Sequence, residues 1–422
     1  MSADTPAKRA EAASGAPGHR IALILLGIII TPVVLSSPTL GSGLPFPSVI
    51  TSVLAGSLIL MIVAVLTLAI GEHARQPTYD VVRFPFGRAG AKAITALLGV
   101  SVFGWAAVTA NGFGTAARRL VAELTGAQVP LPVLVAFGCV LFVAATAFGF
   151  EILGKVAQFA VPVIALLLGY LVYVSLSSAR DFATPSSPMD WGVAVSSVVG
   201  TGTVLAVTSA DFGSFARGRR QALTGGVLAF GVAYPLLFLA GAVPAALTGQ
   251  AALIDAMAMI SSALPAVALL VFAAITANAG NIFQGTLAVS SLFPRARKGQ
   301  VSIALGAGAA VLGSLDVAAW LPDFLLFLGI AAPPVAGIII ADFIRYRRHG
   351  YDTAALAYGG AVRLPTFLAW AGGCGVGYLT AYGTFSLTHI PSIDSLVSGG
   401  LLYALITALA TSTRRERERT AA

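Results

Sequence analysis

Twelve apolar stretches, each long enough to cross a bilayer, run through this chain of 422 residues. The segments joining them alternate between basic and nearly charge-free. A transmembrane helix needs about 20 mostly apolar residues. The stretches begin near Ile21, Val49, Ala91, Leu131, Val156, Trp191, Ala222, Leu264, Val301, Leu321, Leu364 and Val397. With both termini in the cytoplasm, all of the 25 lysines and arginines except Arg118, Arg119 and Arg180 fall on the inner side. That is the asymmetry the positive-inside rule requires of an even number of crossings. The expectation is an all-α, multi-pass protein of the cell membrane.

Composition excludes a soluble domain: 57% of residues are hydrophobic and 10% charged, against about 25% charged in soluble globular proteins. The net charge of +8 serves orientation and contact with anionic membrane lipid; no nucleic-acid partner is read from it. Cys139 and Cys374 sit in apolar context and read as packing residues. Residues 1–19 are expected to be a disordered cytoplasmic tail with no cleaved signal, and residues 414–422 a basic cytoplasmic tail.

Twelve crossings allow two common transporter plans, two six-helix halves or a five-plus-five inverted repeat with two added helices. Helix breakers favour the second, because inverted-repeat transporters interrupt the first helix of each repeat and use the freed backbone groups. Stretch one contains Thr31-Pro32 and Ser36-Ser37-Pro38, and stretch six contains Gly200-Thr201-Gly202-Thr203 and Thr208-Ser209. The expected organisation is helices 1–5 in residues 20–180, helices 6–10 in 190–348 and helices 11–12 in 362–413.

Polar side chains inside a membrane are costly and mark function or a partner. Ser101, Trp105 and Thr109 are four apart on one helix face, so Trp105 can offer a flat ring for a planar heterocycle. Asn278 and Asn281 are three apart in the most polar stretch, and their amides supply both donors and acceptors. Asp211 and Asp342 each precede arginines, Arg217 and Arg345 among them, and read as helix-end or gating residues. The four histidines lie in tails or loops, no metal motif occurs, and no enzyme or resident cofactor is expected.

Several of these segments resemble the nucleobase-cation symporters, in particular their cytosine-permease-like branch. The resemblance covers about residues 20–410. It rests on Arg83-Phe84-Pro85-Phe86-Gly87, Val102-Phe103-Gly104-Trp105, Thr208-Ser209-Ala210-Asp211-Phe212, Thr276-Ala277-Asn278, and the run from Phe327 through Pro333-Pro334 to Asp342-Phe343. It implies a leucine-transporter-like fold and cation-coupled import of a nucleobase or related heterocycle, with Trp105 stacking on the base. It further implies a substrate pocket including Ser101, Val102, Gly200, Gly202, Asn278 and Asn281. The coupling ion it implies is Na+ or H+, with Thr31, Val33 and Thr276 as the candidate Na+ site. The chain departs from the branch at Val102, Gly202 and Ala273, where the branch has a glutamine, an aromatic residue and an amide, and at Ala277, where it has a second hydroxyl. The expected substrate is therefore a nucleobase or related planar heterocycle, with cytosine itself disfavoured. The rival readings are an amino acid or vitamin-like amine carried on the same fold, and a non-transporting receptor.

Overall fold

The computed structural model describes residues 15–31, 38–146, 150–178, 181–185, 189–250, 253–262, 264–315, 321–352, 356, 360–383 and 385–420. Lipid offers no hydrogen-bond partner to a backbone, so each crossing segment satisfies its own as a helix. In chain order these are α1 (Gly18–Ile29), α2 (Phe46–Ala74), α3 (Gly90–Thr125), α4 (Leu131–Thr146), α5 (Phe150–Ser177), α6 (Trp191–Val207) and α7 (Arg219–Thr248). Then follow α8 (Leu264–Leu292), α9 (Lys298–Gly313), α10 (Leu321–Ala331), α11 (Pro333–Asp342), α12 (Leu364–Ala381) and α13 (Pro391–Thr420). Short helices at Pro38–Gly43, Thr78–Val81, Arg83–Phe86, Ala210–Gly213 and Leu253–Ile260 lie in the connections.

Among the described residues, eight helices are long and apolar enough to cross a membrane. Against the twelve stretches of the sequence, α1 has only 12 residues, and α4 and α9 have 16 each. The interior is built by α8, 78% buried over its most apolar window, and α6, 72% buried. By contrast α5 and α13 are 28% buried and expose side chains such as Leu166, Tyr173, Leu401 and Leu405 to the lipid side. The most extensive pairing is α3 with α8, followed by α12 with α13, α11 with α13, and α2 with α6. Helix α1 is held between α5, α7 and α8.

The breaks fall partly where the sequence put them. α1 stops at Ile29, Ile30 and Thr31 leave helical geometry, and helix resumes at Pro38; Pro32 and Val33 lie outside the described residues. In stretch six the expected break at Gly200–Thr203 does not occur, and α6 runs unbroken to Val207. The interruption comes at Thr208–Ser209, before Ala210–Gly213. There the Thr208 and Ser209 hydroxyls donate back to the carbonyls of Val204 and Leu205 at 2.8 and 2.7 Å, an arrangement that bends helices. Glycine in a membrane helix is tolerated while its backbone bonds survive, so Gly200 and Gly202 do not suffice to unwind it.

Helix α7 carries a π-helical stretch at Val227–Ala233. Pro235 has no N–H to give the Gly231 carbonyl, and the Tyr234 N–H reaches back five residues to Ala229 instead. Residues 15–19, in the segment expected to be a disordered tail, are built into the fold. Ala16 is buried, its N–H donates to the Phe215 carbonyl at 2.7 Å, and its carbonyl accepts from Arg217 N at 2.9 Å.

Candidate functional site

Five helices converge on one narrow cavity. Ile28 and Ile29 of α1, with Thr31 just past its end, line it together with Val102 and Trp105 of α3. Thr201, Gly202, Val204 and Leu205 of α6, Tyr234 of α7, and Asn281 and Gln284 of α8 complete it. Its volume is about 30 Å³, room for about two water molecules.

Trp105 is held on α3 with 6% of its surface exposed. Its ring meets Phe324 of α10 edge-to-face, centroids 6.1 Å apart and planes at 68°. One residue further on, the Ala106 carbonyl accepts a hydrogen bond from Asn278 Nδ2 at 3.0 Å. Asn278 Oδ1 in turn accepts from Asn281 Nδ2 at 3.3 Å. Asn278 is thus a support that ties α8 to α3 beside Trp105, and Asn281 is the amide that reaches the cavity wall. The close fit of α1 on α8 depends on Gly280, where a Cβ would lie 2.1 Å from Ile28 Cγ1.

On the opposite sequence half, Tyr234 is fully buried and donates to the Val198 carbonyl at 2.7 Å. Its hydroxyl also lies 2.8 Å from Thr201 Oγ1. Gly202 makes this possible: a Cβ there would sit 2.6 Å from Leu60 Cδ1 and 2.9 Å from the Tyr234 hydroxyl. Gly200 is different, because a Cβ there would meet nothing within 4 Å and the residue does not line the cavity.

Gln284 leads out of the cavity. Its Nε2 donates to Thr208 Oγ1 at 2.7 Å and to Asp211 Oδ2 at 3.4 Å. Asp211 is fully buried, and its Oδ1 accepts from the Thr78 backbone N–H at 2.8 Å. The expectation that Asp211 works as a helix-end partner of the following arginines gives way to this network, because the bend at Thr208–Ser209 turns the carboxylate inward. Asp342 does keep a local arginine, with Arg347 Nε 3.5 Å from Oδ2, and also accepts from the Tyr403 hydroxyl at 2.6 Å.

Of the residues singled out from sequence, Trp105, Val102, Gly202, Asn281 and Thr31 meet at the cavity, and Asn278 supports it. The Ser101 hydroxyl is turned onto the Leu97 carbonyl of its own helix at 2.7 Å. Thr276 likewise donates to the Ala273 carbonyl at 3.0 Å, though its Cβ lies against α1 at Gly27. Sequence reasoning missed Tyr234, Thr201 and Gln284. Gln284 follows Asn278 and Asn281 at intervals of three, a spacing that marks one helix face; Tyr234 is signalled only by the proline after it.

A bundle of membrane-crossing helices, two of them interrupted, around a mid-bundle cavity of one aromatic ring and several amides and hydroxyls is the build of a secondary transporter. The chain belongs to the family described as permease for cytosine/purines, uracil, thiamine, allantoin, whose model matches residues 21–398. It is 30% identical over 378 residues to the cytosine permease of Escherichia coli (strain K12), a match covering 87% of this chain and 85% of that protein. The fold is that of a nucleobase-cation-symport-1 family transporter solved in a closed conformation with bromovinylhydantoin bound, with TM-score 0.83, 20% identity and 95% and 94% of the two chains covered. A Na+-coupled sialic acid symporter shares it more distantly, with TM-score 0.68, 11% identity and coverage of 94% and 91%. The protein is a multi-pass membrane permease and not an enzyme.

Proposed function

We propose that this permease imports a nucleobase or related planar heterocycle by alternating access, coupled to Na+ or H+. One observation carries the reading: a single cavity gathers an aromatic ring at Trp105, amides at Asn281 and Gln284, and hydroxyls at Thr31 and Thr201. Aromatic stacking and amide pairing are the two interactions a planar, hydrogen-bonding heterocycle satisfies. Val102 and Gly202 shape the wall without offering a polar group. Cytosine, for which the Escherichia coli permease is named, and the bromovinylhydantoin bound to the structural neighbour are such heterocycles.

The cavity as it stands is far smaller than the roughly 150 Å³ that accommodates a benzene ring. Substrate therefore selects a state in which the surrounding helices part, and Phe324 at the edge of Trp105 is placed to move with α10. For the arrangement around it we adopt twelve crossings, a five-plus-five inverted repeat with two added helices, and both termini cytoplasmic. The interruptions in stretches one and six support the repeat, and the charge asymmetry supports the orientation. A coupling Na+ would lie between the carbonyls after α1, near Thr31 and Val33, and Thr276, whose Cβ faces α1. Ala277 supplies no second hydroxyl there.

The test is thermal stabilisation of the purified protein by purines, pyrimidines, hydantoins and amino acids, each in Na+ and in K+. Ligand binding to the folded state raises stability by mass action. A heterocycle is expected to raise the melting temperature, and a shift with an amino acid alone would overturn the reading.

A further inference from the structure

Asp211 has no place in a substrate pocket, yet it is built into the interior with care. It lies at the end of α6, past the Thr208–Ser209 bend, with no exposed surface. A buried carboxylate is expensive to keep charged and marks a functional position inside a membrane. Two amide donors hold it, Thr78 N–H at 2.8 Å and Gln284 Nε2 at 3.4 Å. Neither carries a charge.

Apart from the Asp80 carboxylate the groups facing it are uncharged, and α2, which packs against the same segment, brings Glu72 and His73 at its end. From the connection between α2 and α3 come Thr78, Tyr79 and Asp80; from α8 comes Gln284; from the bend itself comes Thr208. Burial and the neighbouring Asp211 carboxylate hold the Tyr79 phenol well above its ordinary value, so it stays protonated. Asp80 adds a second negative charge nearby. Of the cations in this region, Arg83 pairs with Asp80 at 3.4 Å and Arg75 with Glu72 at 2.9 Å.

A second, independent observation concerns two hydroxyls. Tyr79 Oη is buried and has no hydrogen-bond partner among the described residues, the Thr78 hydroxyl stands beside the Asp211 carboxylate and favours its charged form, and both sit on the segment that packs against Asp211. A hydroxyl can donate to a carboxylate or accept from a carboxylic acid. Hydroxyls that can rotate to either role suit a carboxyl group that changes its protonation state, whereas a purely structural carboxylate needs donors alone.

We propose that Asp211 is the proton-carrying group of this permease, loaded from water on one face of the membrane and emptied to water on the other. Gln284 is the positioning residue that links it to the cavity. No other bond changes: the carboxylate gains a proton, its hydrogen bonds rearrange, and the proton leaves when the alternate state opens. The same Gln284 amide lines the cavity and touches Thr208 and Asp211, so a substrate that draws the amide toward itself weakens the hold on the carboxylate. Substrate occupancy and proton binding are thereby joined through one side chain. This rests on the reading of the chain as a cation-coupled heterocycle importer.

The experiment is counterflow and net uptake in sodium-free proteoliposomes with radiolabelled cytosine, uracil and hypoxanthine, with a pH-sensitive dye inside the vesicles. Wild-type protein is expected to acidify the lumen as substrate enters, with a rate that depends on pH. In Asp211→Asn the substrate-driven acidification is expected to be lost completely and the pH dependence to flatten; Asp211→Ser, smaller and tolerant of water, is the second variant should the first fail to fold. Net uptake by wild type without proton movement would overturn the proposal while leaving the importer reading intact, and so would a variant that still acidifies. Absence of counterflow with all three bases would remove the nucleobase reading and this proposal with it.

Discussion

Gln284 Nε2 donates to Thr208 Oγ1 at 2.7 Å, joining the polar face of α8 to the point where stretch six stops being a helix. One amide thus serves the cavity wall and the bend at once. Gln284→Leu keeps the volume but removes the donor, leaving Thr208 and Asp211 short of a partner in a dry interior. The expected cost is about 1–3 kcal/mol of stability, together with loss of heterocycle-induced stabilisation. Thermal melting with and without ligand reads both effects, and an unchanged ligand response would detach Gln284 from the site.

Trp105 supplies the only ring of α3 at the cavity. Trp105→Ala is expected to abolish transport while the protein still purifies as a folded monodisperse species, because the ring faces a cavity on one side. Trp105→Phe keeps a stacking surface and is expected to retain part of the activity. Equal activity in all three proteins would remove the stacking role.

Gly202 and Gly200 stand one turn-half apart and make opposite predictions. A Cβ at 202 meets Leu60 and the Tyr234 hydroxyl at 2.6 and 2.9 Å, so Gly202→Ala is expected to cost about 1–3 kcal/mol through overpacking. At 200 a Cβ meets nothing within 4 Å, and Gly200→Ala is expected to change stability by less than about 0.5 kcal/mol. Melting curves of the two variants decide it.

Asp394 at the start of α13 accepts hydrogen bonds from Thr380 Oγ1 at 2.7 Å, Leu387 N at 2.8 Å and Thr388 Oγ1 at 2.6 Å. It therefore fastens the connection between α12 and α13. Asp394→Ala is expected to loosen that connection, with faster proteolytic cutting near residues 385–390 and a lower melting temperature. Cutting at the wild-type rate would show that the loop is held by other contacts.

Much of this architecture was legible because a membrane writes its demands plainly into sequence. Apolar runs of helix length and basic connections marked the crossings, and Pro32 with its polar neighbours marked the end of α1. The pocket was readable where a costly side chain stood out: Trp105 and Asn281 could be named from their type and depth. Tyr234 could not, since its place depends on the π-helical stretch that Pro235 imposes on α7, a change of register invisible to a 3.6-residue period. Asp211 reads from the arginines that follow it as a helix-end or gating residue. Only the bend made by the Thr208 and Ser209 hydroxyls, a contact-level event, turns it toward Gln284. The run Gly200-Thr201-Gly202 misled for the opposite reason: glycine permits unwinding, but the reason for Gly202 is the space that Leu60 and Tyr234 occupy.

The central claim, that the cavity around Trp105, Asn281 and Gln284 carries a planar heterocycle across the membrane, is tested most directly by uptake of radiolabelled nucleobases into proteoliposomes. Wild-type protein is expected to accumulate at least one of cytosine, uracil and hypoxanthine, with uptake lost in Trp105→Ala and competed by other heterocycles. Uptake that is equal in wild type, Trp105→Ala and empty vesicles for every base would contradict the account.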